Sequence, residues 1–290
     1  MIPFTFVALA AALSTAAGGS PLDLGPPPSW ELGVAAGGGW ESNALGASAP
    51  VASGFGGARA WVARRFEVSD GDEVWLQLHY DGARYDSTPE VDLDRPELGL
   101  EWFHAFGARV TGRVIARAAL RFQGDSARDG WDAGGRATLR FRLTDFLGLR
   151  SGAGFVHRET RDPAYGASSG QGELGLDAAL WRDASAVVRY TLDAGTDTYY
   201  QAPAGGWGGG GMGWAAAAYG PGAGGGGGGM GAGAGTARAT TLVAHGLSVD
   251  VLQGLPASFF VQAGYGLALE RVAGASYVAH SVLAEVGWRH

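Results

Sequence analysis

VTGRVIARAALRFQGDSARDGWDAGGRATLRFRL, residues 110–143, carries one alternation twice. In its first arm Val110, Val114, Ala116, Ala118, Leu120 and Phe122 share one parity, and Arg113, Arg117 and Arg121 occupy the other. In its second arm Trp131, Ala133, Ala137, Leu139, Phe141 and Leu143 alternate with Arg136, Thr138, Arg140 and Arg142. Period-2 alternation of this length belongs to two strands, each with one apolar and one strongly polar face. Two arrangements satisfy such strands. A soluble pair of sheets buries the apolar faces and leaves the arginines in water, whereas a membrane-spanning arrangement turns the apolar faces to hydrocarbon and encloses the arginines.

Outward from this hairpin the alternation recurs in twelve segments: 30–41, 54–68, 73–86, 97–106, 110–122, 131–143, 146–158, 173–182, 186–199, 238–251, 258–270 and 276–288. The connections after the second, fourth, sixth, eighth and tenth are brief, as in Ser69-Asp70-Gly71-Asp72 and Thr144-Asp145. Those after the first, third, seventh and ninth are long, at 42–53, 87–96, 159–172 and 200–237. The one at 123–130 is intermediate, and the one after the eleventh segment is short. A soluble sandwich has no reason to sort its loops in this way. An even strand count with turns on one side and loops on the other is the plan of a barrel inserted from the periplasm. The expected fold is therefore all-β: a twelve-stranded antiparallel transmembrane β-barrel over residues 30–290, with short periplasmic turns and long extracellular loops.

On this pattern the chain resembles twelve-stranded bacterial outer-membrane barrels, over about residues 30–288. Gly39-Trp40-Glu41-Ser42-Asn43 is similar to an aromatic-acid-Ser-Asn string at the end of strand one in some barrels of polysaccharide-export or surface-assembly systems. Ser and Asn are also ordinary turn formers. The resemblance implies residence in the bacterial outer membrane, with outer-membrane lipid and the barrel-insertion machinery as partners. It departs at the C-terminus, where such barrels end on an aromatic residue but Trp288 is followed by Arg289-His290.

Composition narrows the functions. With no cysteine among 290 residues, disulfides and thiolate metal sites are excluded, and a net charge of -7 gives nucleic acid no purchase. None of the 21 basic residues is lysine. After the N-terminus no apolar run of 18 residues occurs, so no transmembrane helix is expected. Residues 1–17 read as a secretory signal peptide, apolar from Ile2 with small residues at Ser14 to Ala17, and 18–29 as a Pro/Gly-rich leader. The extracellular connection at about 200–237 is largely Gly and Ala from Ala204 to Thr236, with Trp207, Met212, Trp214, Tyr219 and Met230 spaced through it. It can fold into the lumen as a constriction, act as a surface tether, or be a tolerated insertion.

Parity assigns a charged interior. Arg113, Arg117, Arg136, Arg140, Arg142 and Arg150 make a basic wall, flanked by Glu97 and Glu101 on one side and by Asp177 and Arg189 on the other. Pairing Phe122 with Trp131 sets Arg117 against Arg136 and Arg113 against Arg140. Pairing Leu143 with Leu147 sets Arg140 against Arg150, and Leu180 with Ala186 sets Asp177 against Arg189. With Phe106 opposite Val110, Glu101 lies diagonal to Arg113 and Arg117, and Glu97 diagonal to Arg117 and Arg121. Like charges directly opposite are destabilising, and arginine cannot escape by deprotonation, so acids, anions or water must neutralise the row. Two readings follow. One is a narrow porin-like channel for small or charged solutes or ions; the other is a self-neutralising plug in a barrel that acts through its loops and periplasmic partners.

No enzymatic activity and no cofactor or metal are expected. His245 and Ser248 fall on opposite faces, as do His280 and Ser281, and a nucleophile must lie within hydrogen-bond reach of its base. His104, His157 and His280 suit interfacial positions near strand ends, whereas His245 lies nearer mid-strand and has no role on this reading. Asp86, Glu90, Asp92 and Asp94, and then Asp125, Asp129 and Asp132, read as solvated loop charge, because neither set has calcium-loop spacing.

Overall fold

A computed structural model describes residues 29–42, 52–89, 92–181, 183–201, 236–272 and 275–289. The expected signal peptide, nearly all of the leader and the Gly-rich segment 202–235 lie outside the described residues. The twelve strands are β1 (Trp30–Glu41), β2 (Ser53–Ser69), β3 (Asp72–Tyr85), β4 (Leu93–Ala105), β5 (Val110–Gln123), β6 (Gly130–Arg142), β7 (Leu147–Thr160), β8 (Ala167–Trp181), β9 (Ala184–Gln201), β10 (Thr236–Gly254), β11 (Phe259–Val272) and β12 (Ala275–Arg289). Each pairs antiparallel with its sequence neighbours, and β1 pairs with β12 from Gly33 opposite Arg289 to Glu41 opposite Ser281, closing the barrel. Followed from strand to strand, the registers return to β1 displaced by about 16 residues; with a rise of ~3.3 Å and a strand spacing of ~4.8 Å, that stagger tilts the strands by about 43°.

The side-chain alternation is inside out. Leu78 and Leu98 on the outer face are 53% and 54% exposed, and Leu100, Val114, Leu174, Leu176 and Val282 are exposed with them. A soluble monomer does not carry an apolar surface that wraps its whole circumference. Two bands of larger side chains bound this surface. Trp30, Phe66, Trp102, Phe106, Phe146 and Trp181 ring the turn end, and Trp40, Phe122, Trp131, Phe155, Tyr190 and Tyr265 ring the loop end. Such girdles mark the two interfaces of a bilayer.

Turn chemistry sets the periplasmic end. Between β2 and β3, Gly71 takes a φ of +83° that a side chain would resist, and the Ser69 hydroxyl donates to Asp72 at 2.5 Å. At the loop end Gln123 N–H donates to the Asp129 carboxylate at 2.8 Å, around a single helical turn at Ser126–Arg128. That side chain takes a ladder partner's place just beyond Arg121 and Gly130, the last pair of the β5–β6 ladder.

Candidate functional site

The barrel interior is an ion-pair lattice built on inward-facing strand positions. Toward the loop end Arg95 contacts Glu97 at 2.6 Å, Asp132 at 2.8 Å and Asp81 at 3.8 Å, and Arg121 contacts Asp132 at 3.4 Å. Toward the turn end Glu101, 0% exposed, accepts from Gln77 at 2.9 Å and contacts Arg113 at 3.2 Å. On the next strands Arg136 lies 2.9 Å from Glu173, and Arg140 and Arg150 lie 2.9 and 2.7 Å from Asp177. Glu173 is shared further, with Arg189 at 3.7 Å and Arg150 at 4.0 Å. Arg59 on β2 bonds Glu285 on β12. Buried charges of this kind are tolerable only when paired and hydrogen-bonded, which the lattice supplies for most of them.

Several of these pairs skip a strand, and small inward residues allow it. β7 presents Gly148, Gly152 and Gly154 to the interior, over which Arg136 and Arg140 reach acids on β8. A Cβ at Gly154 would sit 3.2 Å from the Arg136 Cβ, and one at Gly148 would sit 3.5 Å from the Arg140 Nε. Arg95 crosses β5 above Ala119, and Arg59 crosses β1 at Gly37. Sequence reasoning missed this device, although its signal was present as glycine at inward parity.

Two expected registers are corrected. Leu120, not Phe122, faces Trp131, so Arg113 faces Thr138, Arg117 faces Gly134 and Arg136 faces Ile115. The slip removes two like-charge pairs, and the Asp129 carboxylate accepts from Gln123 N–H at its loop end. Ala178, not Leu180, faces Ala186 because β8 carries an irregularity between Ala179 and Trp181. Arg189 therefore stands opposite Gly175 and contacts Glu173 instead of Asp177. Arg140 does face Arg150, and Asp177 bonds both. Glu101 lies diagonal to Arg113 and Arg117, and Glu97 diagonal to Arg117 and Arg121, but the ion pair of Glu97 is with Arg95. Arg142 stands at the turn end, 3.0 Å from Asp145. Asp132 is not loop charge: β6 carries it inward, 1% exposed, because Trp131 takes the outward position.

Toward the periplasmic end, the side of the interior formed by β9 to β11, β1 and β2 holds an apolar cluster. Trp61, Phe260, Val187, Leu252 and Ala35 form one buried cluster, with the Trp61 and Phe260 rings 6.5 Å apart and the Trp61 indole donating to Glu31 at 2.8 Å. Parity alone does not reveal it, since the stretch Ala60-Trp61-Val62-Ala63 is apolar on both faces.

On the outer face, His245 has a place after all. β10 extends to Thr236, which puts His245 at the loop-end girdle, where Tyr190 Oη lies 2.7 Å from its Nδ1. Tyr265 and His280 repeat the contact at 2.7 Å. Ser248 and Ser281 are buried in the interior, away from the adjacent histidines. One Ser–His contact escaped the sequence reading: His157 Nδ1 lies 2.7 Å from Ser168 Oγ on the outer face. The Trp131 ring packs edge-on against that imidazole, with the ring centroids 5.6 Å apart.

A closed antiparallel barrel with an apolar, doubly girdled exterior and a charged interior is a transmembrane β-barrel of the bacterial outer-membrane class. No protein-family model and no curated protein matches the sequence. Among solved structures the chain is similar to an outer membrane channel from Pseudomonas putida F1, at 10% identity and a TM-score of 0.61, over 92% of this chain and 99% of that one. It is also similar to the NanC porin, at 10% identity and a TM-score of 0.49, over 89% and 98%. LpxR from Salmonella typhimurium follows at 7% identity and 0.43, over 89% and 99%. At these identities the likeness is one of fold.

Proposed function

We propose that this barrel is a narrow, non-catalytic outer-membrane channel for small charged solutes, delivered from the periplasm by the barrel-insertion machinery after removal of residues 1–17. The observation that carries the reading is the asymmetry of the interior. The ion pairs centred on Arg65, Arg95, Arg113, Arg121, Arg136, Arg140, Arg150 and Arg189 all join strands from β2 to β9, whereas Arg59–Glu285 reaches across β1. The facing wall mixes small inward residues, among them Gly266, Ala268 and Ser281, with the acids Glu31, Asp250 and Glu285. Solute would pass along that wall, across a field running from the basic strands to their acidic flanks.

A second reading has its own support. The periplasmic cluster around Trp61 and the full burial of Glu101, Asp177 and Arg121 favour a filled barrel that works through its loops and periplasmic partners. Planar-bilayer recording of the refolded barrel separates the two. Discrete unitary steps are expected; a folded barrel that inserts yet never conducts refutes the channel and leaves the plug.

A further inference from the structure

Five arginines crowd the middle of the basic wall, and four of them share carboxylates: Arg136, Arg150 and Arg189 lie at or within 4.0 Å of Glu173, while Arg140 and Arg150 divide Asp177. Asp250 on β10, diagonal to Arg189, adds one more acid. Arg117 is the fifth. It faces the same interior, diagonal to Arg136, but no carboxylate of the described residues comes within ion-pair distance of it. Of the acids on its side, Glu97, diagonal to it, is paired with Arg95 at 2.6 Å, and Asp132 with Arg95 and Arg121. Its two cross-strand neighbours are Gly99 and Gly134, which present no side chain to it, and it is half-buried. Beside it the Arg136 Nε is buried with no protein acceptor.

We propose that Arg117, with Arg136 beside it, is an oxyanion-binding and charge-selecting site that engages one carboxylate, phosphate or sulfate group of a solute. The inference rests on the channel reading for its role in selection, but not for the binding itself. An ionised guanidinium in a water-poor interior keeps its charge and must find an acceptor, and a planar fork suits an oxyanion. Arg136 is fixed by Glu173 and supplies the second donor without moving. Gly99 leaves a clearing beside Arg117 in which its guanidinium can turn.

The test uses the full chain refolded in detergent, with inorganic phosphate as the probe and calorimetry as the readout. Phosphate should bind the wild type, and Arg117→Gln should weaken binding about tenfold, the loss of one charge-assisted hydrogen bond. Arg117→Lys should keep part of the affinity. Arg65→Gln removes the same charge from a pair with Glu73 near the turn end and should leave phosphate binding unchanged. In bilayers, Arg117→Gln should lower the chloride-to-potassium permeability ratio about threefold, one partly screened charge. A folded wild type that binds no phosphate overturns the site, as does equal weakening by Arg117→Gln and Arg65→Gln. Phosphate binding through Arg117 in a barrel that never conducts keeps the site and refutes only the channel.

Discussion

Replacing Glu173 with Gln keeps the side chain's size and removes its charge, which isolates the electrostatic worth of the central carboxylate. Glu173 stands 2.9 Å from Arg136, 3.7 Å from Arg189 and 4.0 Å from Arg150. At an effective dielectric of ~20 the first contact alone is worth roughly 6 kcal/mol of Coulomb attraction, and the other two about 4 each. Desolvation of the acid and mutual repulsion of the arginines take back most of that sum. Experience with one-sided loss of buried pairs puts the net destabilisation at about 3–5 kcal/mol. Equilibrium urea unfolding, followed by the mobility of the folded band on unheated gels, reads this directly. The exposed pair Arg142–Asp145, 3.0 Å at a turn, is the contrast, and Asp145→Asn should cost less than about 1 kcal/mol. Glu173→Gln should also tighten phosphate binding, because the arginines lose an internal competitor. A change in stability below about 1 kcal/mol, with phosphate binding unaltered, would refute the view that these charges are buried and mutually neutralised.

Gly37→Ala places a Cβ 2.2 Å from the Ala284 carbonyl oxygen at the closing seam and should lower the urea midpoint, whereas Gly56→Ala points into open space and should not. Trp61→Ala empties the periplasmic apolar cluster; a loss of about 3–5 kcal/mol is expected by urea unfolding, with a rise in unitary conductance if that cluster narrows the path. Tyr190→Phe and Tyr265→Phe each delete one outer-face hydrogen bond to a histidine, and each should cost about 0.5–1.5 kcal/mol in the same assay.

Where alternation was strong, the fold was legible from residues alone. β1 runs over the expected span from Trp30 to Glu41 because Leu32, Val34 and Trp40 point out against Glu31 and Glu41. Where the alternation was weak, strand ends were misjudged. β8 begins at Ala167 instead of 173, through a Ser-Ser-Gly-Gln-Gly stretch with no apolar face to detect. β4 begins at Leu93 instead of 97 because Pro96 reads as a strand breaker; the barrel accommodates it opposite Tyr80, and the ladder to β5 lapses at Arg95 and Pro96. The charged interior was legible as two walls, since parity survives a two-residue slip, but the partners were not. Pairing depends on which side chains can cross a strand, and that is decided by inward glycine and alanine. Hydrophobic periodicity gives such residues almost no weight, yet Gly152 and Gly154 let Arg136 reach Glu173, while Gly99 and Gly134 present no side chain to Arg117. Glycine at inward parity is thus the residue that both assembles the lattice and leaves Arg117 outside it. A substitution that fills the gap beside Arg117 should therefore change its chemistry without touching its charge. At Gly99 a Cβ would meet only ordinary contacts, the nearest being the Gln77 Cβ at 3.6 Å. Gly99→Ser therefore should fold normally, give Arg117 a hydroxyl neighbour and weaken phosphate binding several-fold; unchanged calorimetry in that variant would mean the clearing plays no part.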